Sequence, residues 1–251
     1  MRKISVVLCF LAFVFTGHEK NIYTAHDEDF KTQNKKTHYS FPWKVHEIAK
    51  DFELLDVWEF PIKADKTRNQ DFSYFLKVMH QPPKISAHTF FSFRSLIARI
   101  LVSLRVFLGG IFGLDKNVNS LPIPGCKETS LKDRLSEEDL ERSLAESVGE
   151  QDEGKFAWRT VYLYENEMLT ELSNNTVHVL MHLGWVHKSG NYFTARLAVY
   201  AKPRGSMGEF YMKLIMPFRR AIIYPVLMQD LKKRWENIKI SRTNESELDM
   251  T

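Results

Sequence analysis

Apolar positions recur every second residue over 52–60, where Phe52, Leu54, Trp58 and Phe60 share a face that Asp56 interrupts. That spacing predicts a strand, ended by Pro61. The period then changes. Asp71 is placed to cap a short helix with apolar positions Phe72, Phe75, Leu76 and Met79, and Pro82-Pro83 stops it. A second helix is predicted over 90–107. Leu96, Ile100, Leu101, Val102, Leu104, Val106 and Phe107 make it apolar nearly all round, interrupted by Arg94, Arg99 and Arg105. A central arginine costs roughly 2.5–3.5 kcal/mol on insertion into a bilayer, so the pattern predicts a buried globular helix rather than a membrane span. Gly109-Gly110 and Gly113 close it.

A loop at 121–125 leads to a predicted helix, or two turns, over 130–146, with Leu131, Leu135, Leu140 and Leu144 on its apolar side. Its acidic continuation to Glu153 reads as a solvated surface. Four strand-like segments follow. Phe156, Trp158, Tyr162 and Tyr164 alternate with Ala157, Arg159, Val161 and Leu163. Segment 167–172 is shorter and fits a strand or a helix. Over 176–185, Val177, Val179, Met181, Leu183 and Trp185 take one face, and Thr176, His178, Leu180 and His182 the other. Lys188-Ser189-Gly190-Asn191 is a hairpin turn, with 192–201 as the returning strand. The longest helical stripe runs over 207–238 through Tyr211, Leu214, Phe218, Ile222, Leu227, Leu231, Trp235 and Ile238. Pro217 and Pro225 lie inside it and should kink or restart it.

A strand, two helices, several antiparallel strands and a long closing helix imply an α+β fold. The closing helix covers the apolar face of a curved antiparallel sheet, the helix-grip arrangement, and can leave a cavity beneath it.

The termini differ from this body. Met1-Arg2-Lys3 before the apolar run 4–15 has the pattern of a secretory signal peptide or an uncleaved signal anchor over 1–17. The run is shorter than the roughly 20 residues of a spanning helix. The cleavage signal is poor, and an apolar N-terminal extension is the alternative. The polar stretch 18–39 reads as a linker, the folded domain as 40–238, and 239–251 as a disordered tail. A real signal would place the protein in the cell envelope or outside the cell; otherwise it is cytoplasmic.

The chain has 251 residues, 44% hydrophobic and 26% charged, enough for one sizeable core. Two cysteines, Cys9 and Cys126, exclude a disulfide framework or a Cys-rich zinc site. The net charge of +4 does not argue for nucleic acid.

Candidate chemistry is sparse. His178 and His182 would lie roughly 13 Å apart along a strand, too far to share one metal ion. No metal and no cofactor is expected. Each histidine is either a pocket residue or a structural one on the sheet. Cys126 lacks an activating context, and no nucleophile elbow, dinucleotide turn or phosphate loop is present. Asp56, Glu165, Glu167 and Glu171 could act as acids or bases if buried. Trp158, Tyr162, Trp185, Tyr192, Tyr200, Tyr211 and Tyr224 have polar tips on apolar bodies, suited either to lining a cavity or to an ordinary aromatic core. Arg196, mid-strand, could hold a carboxylate or a phosphate if it faces inward.

Several blocks carry a resemblance. His38-Tyr39-Ser40-Phe41-Pro42-Trp43-Lys44-Val45-His46-Glu47, then 52–58, resemble the start of the bacterial domain of unknown function 2867. So do Ser130-Leu131-Lys132-Asp133-Arg134-Leu135, Asn175-Thr176-Val177-His178, Met181-His182-Leu183-Gly184-Trp185-Val186, Pro217-Phe218-Arg219 and Tyr224-Pro225. The family is similar to the START/polyketide-cyclase-like (SRPBCC) superfamily of helix-grip proteins. That resemblance implies a cavity for apolar ligands under the last helix, with a minority of members being enzymes. It implies no established activity or cofactor. The apolar N-terminus departs from the family pattern.

The expected function is binding of a small, largely apolar ligand between the sheet and the C-terminal helix, lined by Trp158, His178, His182, Trp185, Arg196, Tyr200 and Tyr211. The alternatives are a cyclase- or hydrolase-type enzyme with His178 or His182 as general base, and a membrane-tethered interaction protein held by its N-terminus.

Overall fold

The computed structural model of the chain describes residues 34–80, 127–145, 158–220 and 224–248. The predicted signal segment and the predicted helix 90–107 lie outside these residues. Two short helices come first, α1 (Lys35–Tyr39) and α2 (Val45–Ile48). Asn34 caps α1 by accepting a hydrogen bond from the Lys36 amide at 2.9 Å. Strands β1 (Glu53–Glu59) and β2 (Ala64–Asp65) follow, then α3 (Phe72–His80), where Asp71 accepts from the Tyr74 amide at 2.8 Å. A 3-10 turn (Leu131–Arg134) and α4 (Glu137–Arg142), begun by a Ser136–Asp139 capping box, lead to β3 (Arg159–Leu163), β4 (Glu167–Ser173), β5 (Val177–Ser189) and β6 (Tyr192–Pro203). Two helices close the chain, α5 (Gly205–Phe218) and α6 (Tyr224–Leu248).

The fold is α+β. The six strands of the described residues form one curved, unclosed antiparallel sheet in the order β1-β6-β5-β4-β3, with β2 also paired to β6. Gly190, at φ 56°, turns the β5–β6 hairpin through a left-handed conformation that a side chain would strain.

Both faces of the sheet are buried. On one, α3 and α6 lay Phe72, Phe75, Leu227, Met228, Leu231 and Trp235 against Trp58, Leu183, Leu197 and Val199. On the other, the segment around α2 and the 3-10 turn covers Tyr162, Leu169, Leu180, Ala198 and Tyr200 with Trp43, Val45, Ile48, Leu131 and Leu135. Among the described residues the final helix therefore covers one of the two faces of the sheet, together with α3.

Several boundaries differ from the sequence pattern for local reasons. A bulge between Leu54 and Asp56 adds one residue to β1, so Leu54 packs with the α2 side while Trp58 and Phe60 pack with the α6 side. Segment 167–172 is a strand, because its partners lie next to it in a hairpin. Within 130–146 the chain forms the 3-10 turn and α4 instead of one helix. The stripe 207–238 is two helices, as the prolines require: α5 ends just after Pro217, and Pro225 sits in the first turn of α6. Buried Asp56 pins that junction. Arg220 Nε lies 2.9 Å from its Oδ1, and Arg219 Nη2 and the Tyr224 hydroxyl lie 3.4 Å and 3.3 Å from its Oδ2.

The stretch read as linker is described from Asn34 onward, and there it belongs to the folded body: α1 carries His38 into the core at 0% exposure. The stretch read as a disordered tail continues α6 to Leu248. No helix among the described residues is long and apolar enough to cross a membrane.

Candidate functional site

Hairpin register places the two predicted histidines beside carboxylates. On β5, His178, Leu180 and His182 share a face, and the facing positions on β4 are Ser173, Glu171 and Leu169, with Glu167 opposite Gly184. Each histidine reaches the carboxylate diagonal to it, a distance that long side chains span. His182 Nε2 lies 3.0 Å from Glu167 Oε2, and His178 Nε2 lies 3.0 Å from Glu171 Oε2. All four residues are at most 3% exposed.

The two pairs have opposite chemistry. His178 uses both nitrogens, the second donating to Glu128 Oε1 at 2.9 Å. Glu171 also accepts from the Ser130 hydroxyl and, at 3.0 Å, from the Leu131 amide. Glu128 is held by Arg204 Nη2 at 2.7 Å and Nε at 3.0 Å. Burial by itself would lower the His178 pKa, but the hydrogen bonds and charges of Glu128 and Glu171 outweigh it and raise the group above its ordinary value. Burial opposes ionisation of Glu128 too, yet His178 and Arg204 hold its carboxyl down at about 2. An imidazolium clamped by two carboxylates has no lone pair to offer, so this pair ties the 3-10 turn to the sheet.

His182 keeps one nitrogen free. Glu167 accepts from its Nε2, from the Tyr162 hydroxyl at 2.7 Å, and from the Lys44 amide at 3.0 Å and 3.2 Å. Burial pushes the Glu167 carboxyl up, and the His182, Lys44 and Tyr162 contacts together bring it below its ordinary value. An ionised Glu167 takes the proton on Nε2, which leaves the lone pair of a neutral imidazole on Nδ1. That Nδ1 is buried and has no partner among the described residues. Against the His182 ring stand the rings of His38 and Trp43, each 5.4 Å centroid to centroid, and His46 lies 5.0 Å from His38. Trp43 Nε1, His38 Nδ1 and His46 Nε2 are likewise buried without partners among the described residues. Gly184 permits this contact, because a Cβ there would come within 2.9 Å of the Trp43 ring and 3.2 Å of His182.

Tyr200 donates to or accepts from His38 Nε2 at 2.8 Å. Burial, then the nearby His182, His46 and Arg196, lower the His38 pKa to about 2, so it stays neutral in the fold. Once unfolded it protonates below 6.5, and the folded state then binds fewer protons. Stability should therefore fall on acidification by about 1.4 kcal/mol per pH unit from this residue, or about 2 kcal/mol between pH 6.5 and pH 5. His46, lowered chiefly by burial, adds to the fall, whereas raised His178 stabilises fully below its unfolded value and loses that as pH rises through its folded one. Urea unfolding at several pH values checks this: His38→Gln, which keeps a partner for Tyr200 and cannot titrate, should show the shallower acid loss.

The other expected site residues divide between locations. Arg196 and Tyr200 lie on the His182 face of the sheet, away from α6. Trp185 is on the α6 side, stacked on Phe193 at 6.1 Å and packed against Phe72 and Phe75. Trp158 is half-buried just before β3, and the Tyr211 side chain lies outside the described residues. A ligand between the sheet and α6 would thus meet Trp185 but not His178, His182, Arg196 or Tyr200. Sequence reasoning missed His38, His46 and Trp43 as site residues, and it read Tyr162 as a cavity or core aromatic rather than as a partner of Glu167. No group of three or more His, Cys, Asp or Glu among the described residues is placed to hold a metal ion.

A family model described as protein of unknown function (DUF2867) matches residues 48–226. No curated protein and no solved structure matches the chain.

Proposed function

The chain belongs to the DUF2867 family of proteins of unknown function, and from its geometry we propose that it is a hydrolase- or cyclase-type enzyme with Glu167 and His182 as an acid–base dyad. One observation carries this reading: a buried imidazole is anchored through Nε2 on a carboxylate while its Nδ1 is left without a partner among the described residues. Such a nitrogen can take a proton from water, or from a substrate hydroxyl, as that oxygen attacks a carbonyl. Glu167 stays ionised and stabilises the imidazolium, which returns the proton to the departing oxygen. Trp43 Nε1–H, beside the imidazole, is a donor for the developing oxyanion. Residues Phe41 and Trp43 form part of the cover over the dyad, so substrate reaches His182 when this segment lifts. Screening activated esters and lactones for turnover tests the proposal: activity should fall to background in His182→Gln, and turnover that survives this change contradicts it.

The lie of α6 across one face of the curved sheet supports a helix-grip fold similar to the START/polyketide-cyclase-like superfamily, with the dyad on the opposite face. A second reading retains a small, largely apolar ligand under α6. Trp58 Nε1 favours it, as a buried donor without a partner among the described residues inside a layer built mainly of apolar side chains.

A further inference from the structure

Arg196 is 3% exposed, yet its Nε and Nη1 have no hydrogen-bond partner among the described residues. Among the described residues only Nη2 approaches a carboxylate, Glu59 at 3.4 Å, and that carboxylate is already held by Lys188 at 2.7 Å. A buried guanidinium without full compensation is costly, because its desolvation is not offset by charge or hydrogen bonds. Nη2 carries one N–H on each edge of the guanidinium, and Glu59 engages at most one of them. One two-point edge, Nε with Nη2 or Nη1 with Nη2, remains open, and it matches the two oxygens of a carboxylate. The Phe41 ring lies 5.0 Å above the guanidinium and stacks on Trp43 at 5.3 Å, so the surroundings of this edge are aromatic.

Sheet register sets where a molecule held there would extend. Arg196 pairs with Gly184 and Ala198 pairs with His182, so Arg196 and His182 are diagonal neighbours on one face, roughly 7–8 Å apart at their backbones. The positions between them, Gly184 and Ala198, have little or no side chain, and the Trp43 indole lies over Gly184.

We infer that the substrate is a carboxylic acid with an apolar or aromatic body, its carboxylate seated on Arg196 and its reacting group a few bonds away at His182. The word substrate rests on the acid–base reading of the dyad; the binding of the acid does not.

Calorimetric titration of the full chain with phenylacetate, phenylacetamide and phenyl phosphate tests the inference. Phenylacetate should bind at least about tenfold more tightly than the isosteric amide, as expected for a charge-assisted hydrogen-bond pair. Arg196→Gln should abolish that preference, and Arg196→Lys, which keeps the charge and loses the fork, should retain only part of it. If Arg196→Gln does not fold, the acid–amide comparison in the wild type and Arg196→Lys decide. Equal binding of acid and amide, no binding of the acid, tighter binding of the phosphate, or a preference unchanged in Arg196→Lys would each overturn the inference. His182→Gln separates the two claims. Acid binding that persists there while ester turnover is lost supports both. Acid binding with turnover unaffected leaves the seat on Arg196 standing and removes the dyad.

Discussion

Replacing Glu171 by leucine should lower the unfolding free energy by about 3–5 kcal/mol, because the buried His178 imidazolium loses one of its two carboxylates and its neighbours lose their acceptor. Three groups lose their acceptor at once: His178 Nε2, the Ser130 hydroxyl and the Leu131 amide. The loss would be a large fraction of the total for a domain, commonly about 5–15 kcal/mol. Urea denaturation reads it as a drop in midpoint at constant slope. Glu171→Gln, with the same shape and no charge, should cost less. Glu171→Leu and His178→Leu combined should cost less than the sum of the two single changes, since the two residues share one contact and Glu128 keeps Arg204. A loss below about 1 kcal/mol for Glu171→Leu would contradict the structural role given to this pair.

The second large effect concerns the other pair. On a substrate found by the ester and lactone screen, His182→Gln should reduce turnover by about 100- to 10,000-fold, the usual contribution of a positioned general base. Glu167→Gln should also slow turnover, but by less. The amide can still accept from Nε2–H, while the charge that stabilises the imidazolium is gone. It also weakens the hold on Tyr162 and the Lys44 amide, so a stability measurement must accompany the rate. His178→Gln serves as the contrast. It should lower stability and leave the turnover of the folded fraction near that of the wild type, because His178 has both nitrogens engaged and lies four residues along the strand from His182. Equal effects of His178→Gln and His182→Gln on turnover would remove the distinction between a structural and a chemical pair.

Much of this architecture is legible in the sequence, and the failures have physical causes. The alternation over 176–185 and the turn at Gly190 identify the β5–β6 hairpin, and Asp71 marks the start of α3. What period two cannot show is that both faces are buried. A face carrying His178, Leu180 and His182 looks half-solvated until a covering layer is known, and that layer comes from residues far away in the chain. The β1 bulge is invisible for a similar reason, since an inserted residue is recognised only against its partner strand. The stripe over 207–238 continues across two helices, and Pro217 and Pro225 mark the break between them.

The site was half legible. His178, His182, Glu167 and Glu171 all stand out as residue types. Their pairing follows from the hairpin alone: two carboxylates four apart on β4 face two histidines four apart on β5. Reading that spacing jointly would have found both pairs. His38 falls in the polar stretch 18–39 that reads as a linker, and His46 lies just inside the domain boundary with no periodic pattern around it. They nonetheless belong to the same block as Phe41-Pro42-Trp43, and it is this block that covers the dyad.

The most direct test is to locate the proton on His182. Long-range nitrogen–proton correlation spectra of protein carrying isotope-labelled histidine distinguish a protonated ring nitrogen from a bare one. For the neutral ring, the proton should sit on Nε2 with Nδ1 bare, and Glu167→Gln should perturb the His182 signals while leaving the doubly protonated His178 pattern in place. A neutral His182 with its proton on Nδ1 and Nε2 bare would mean that no lone pair is available where the chemistry needs one.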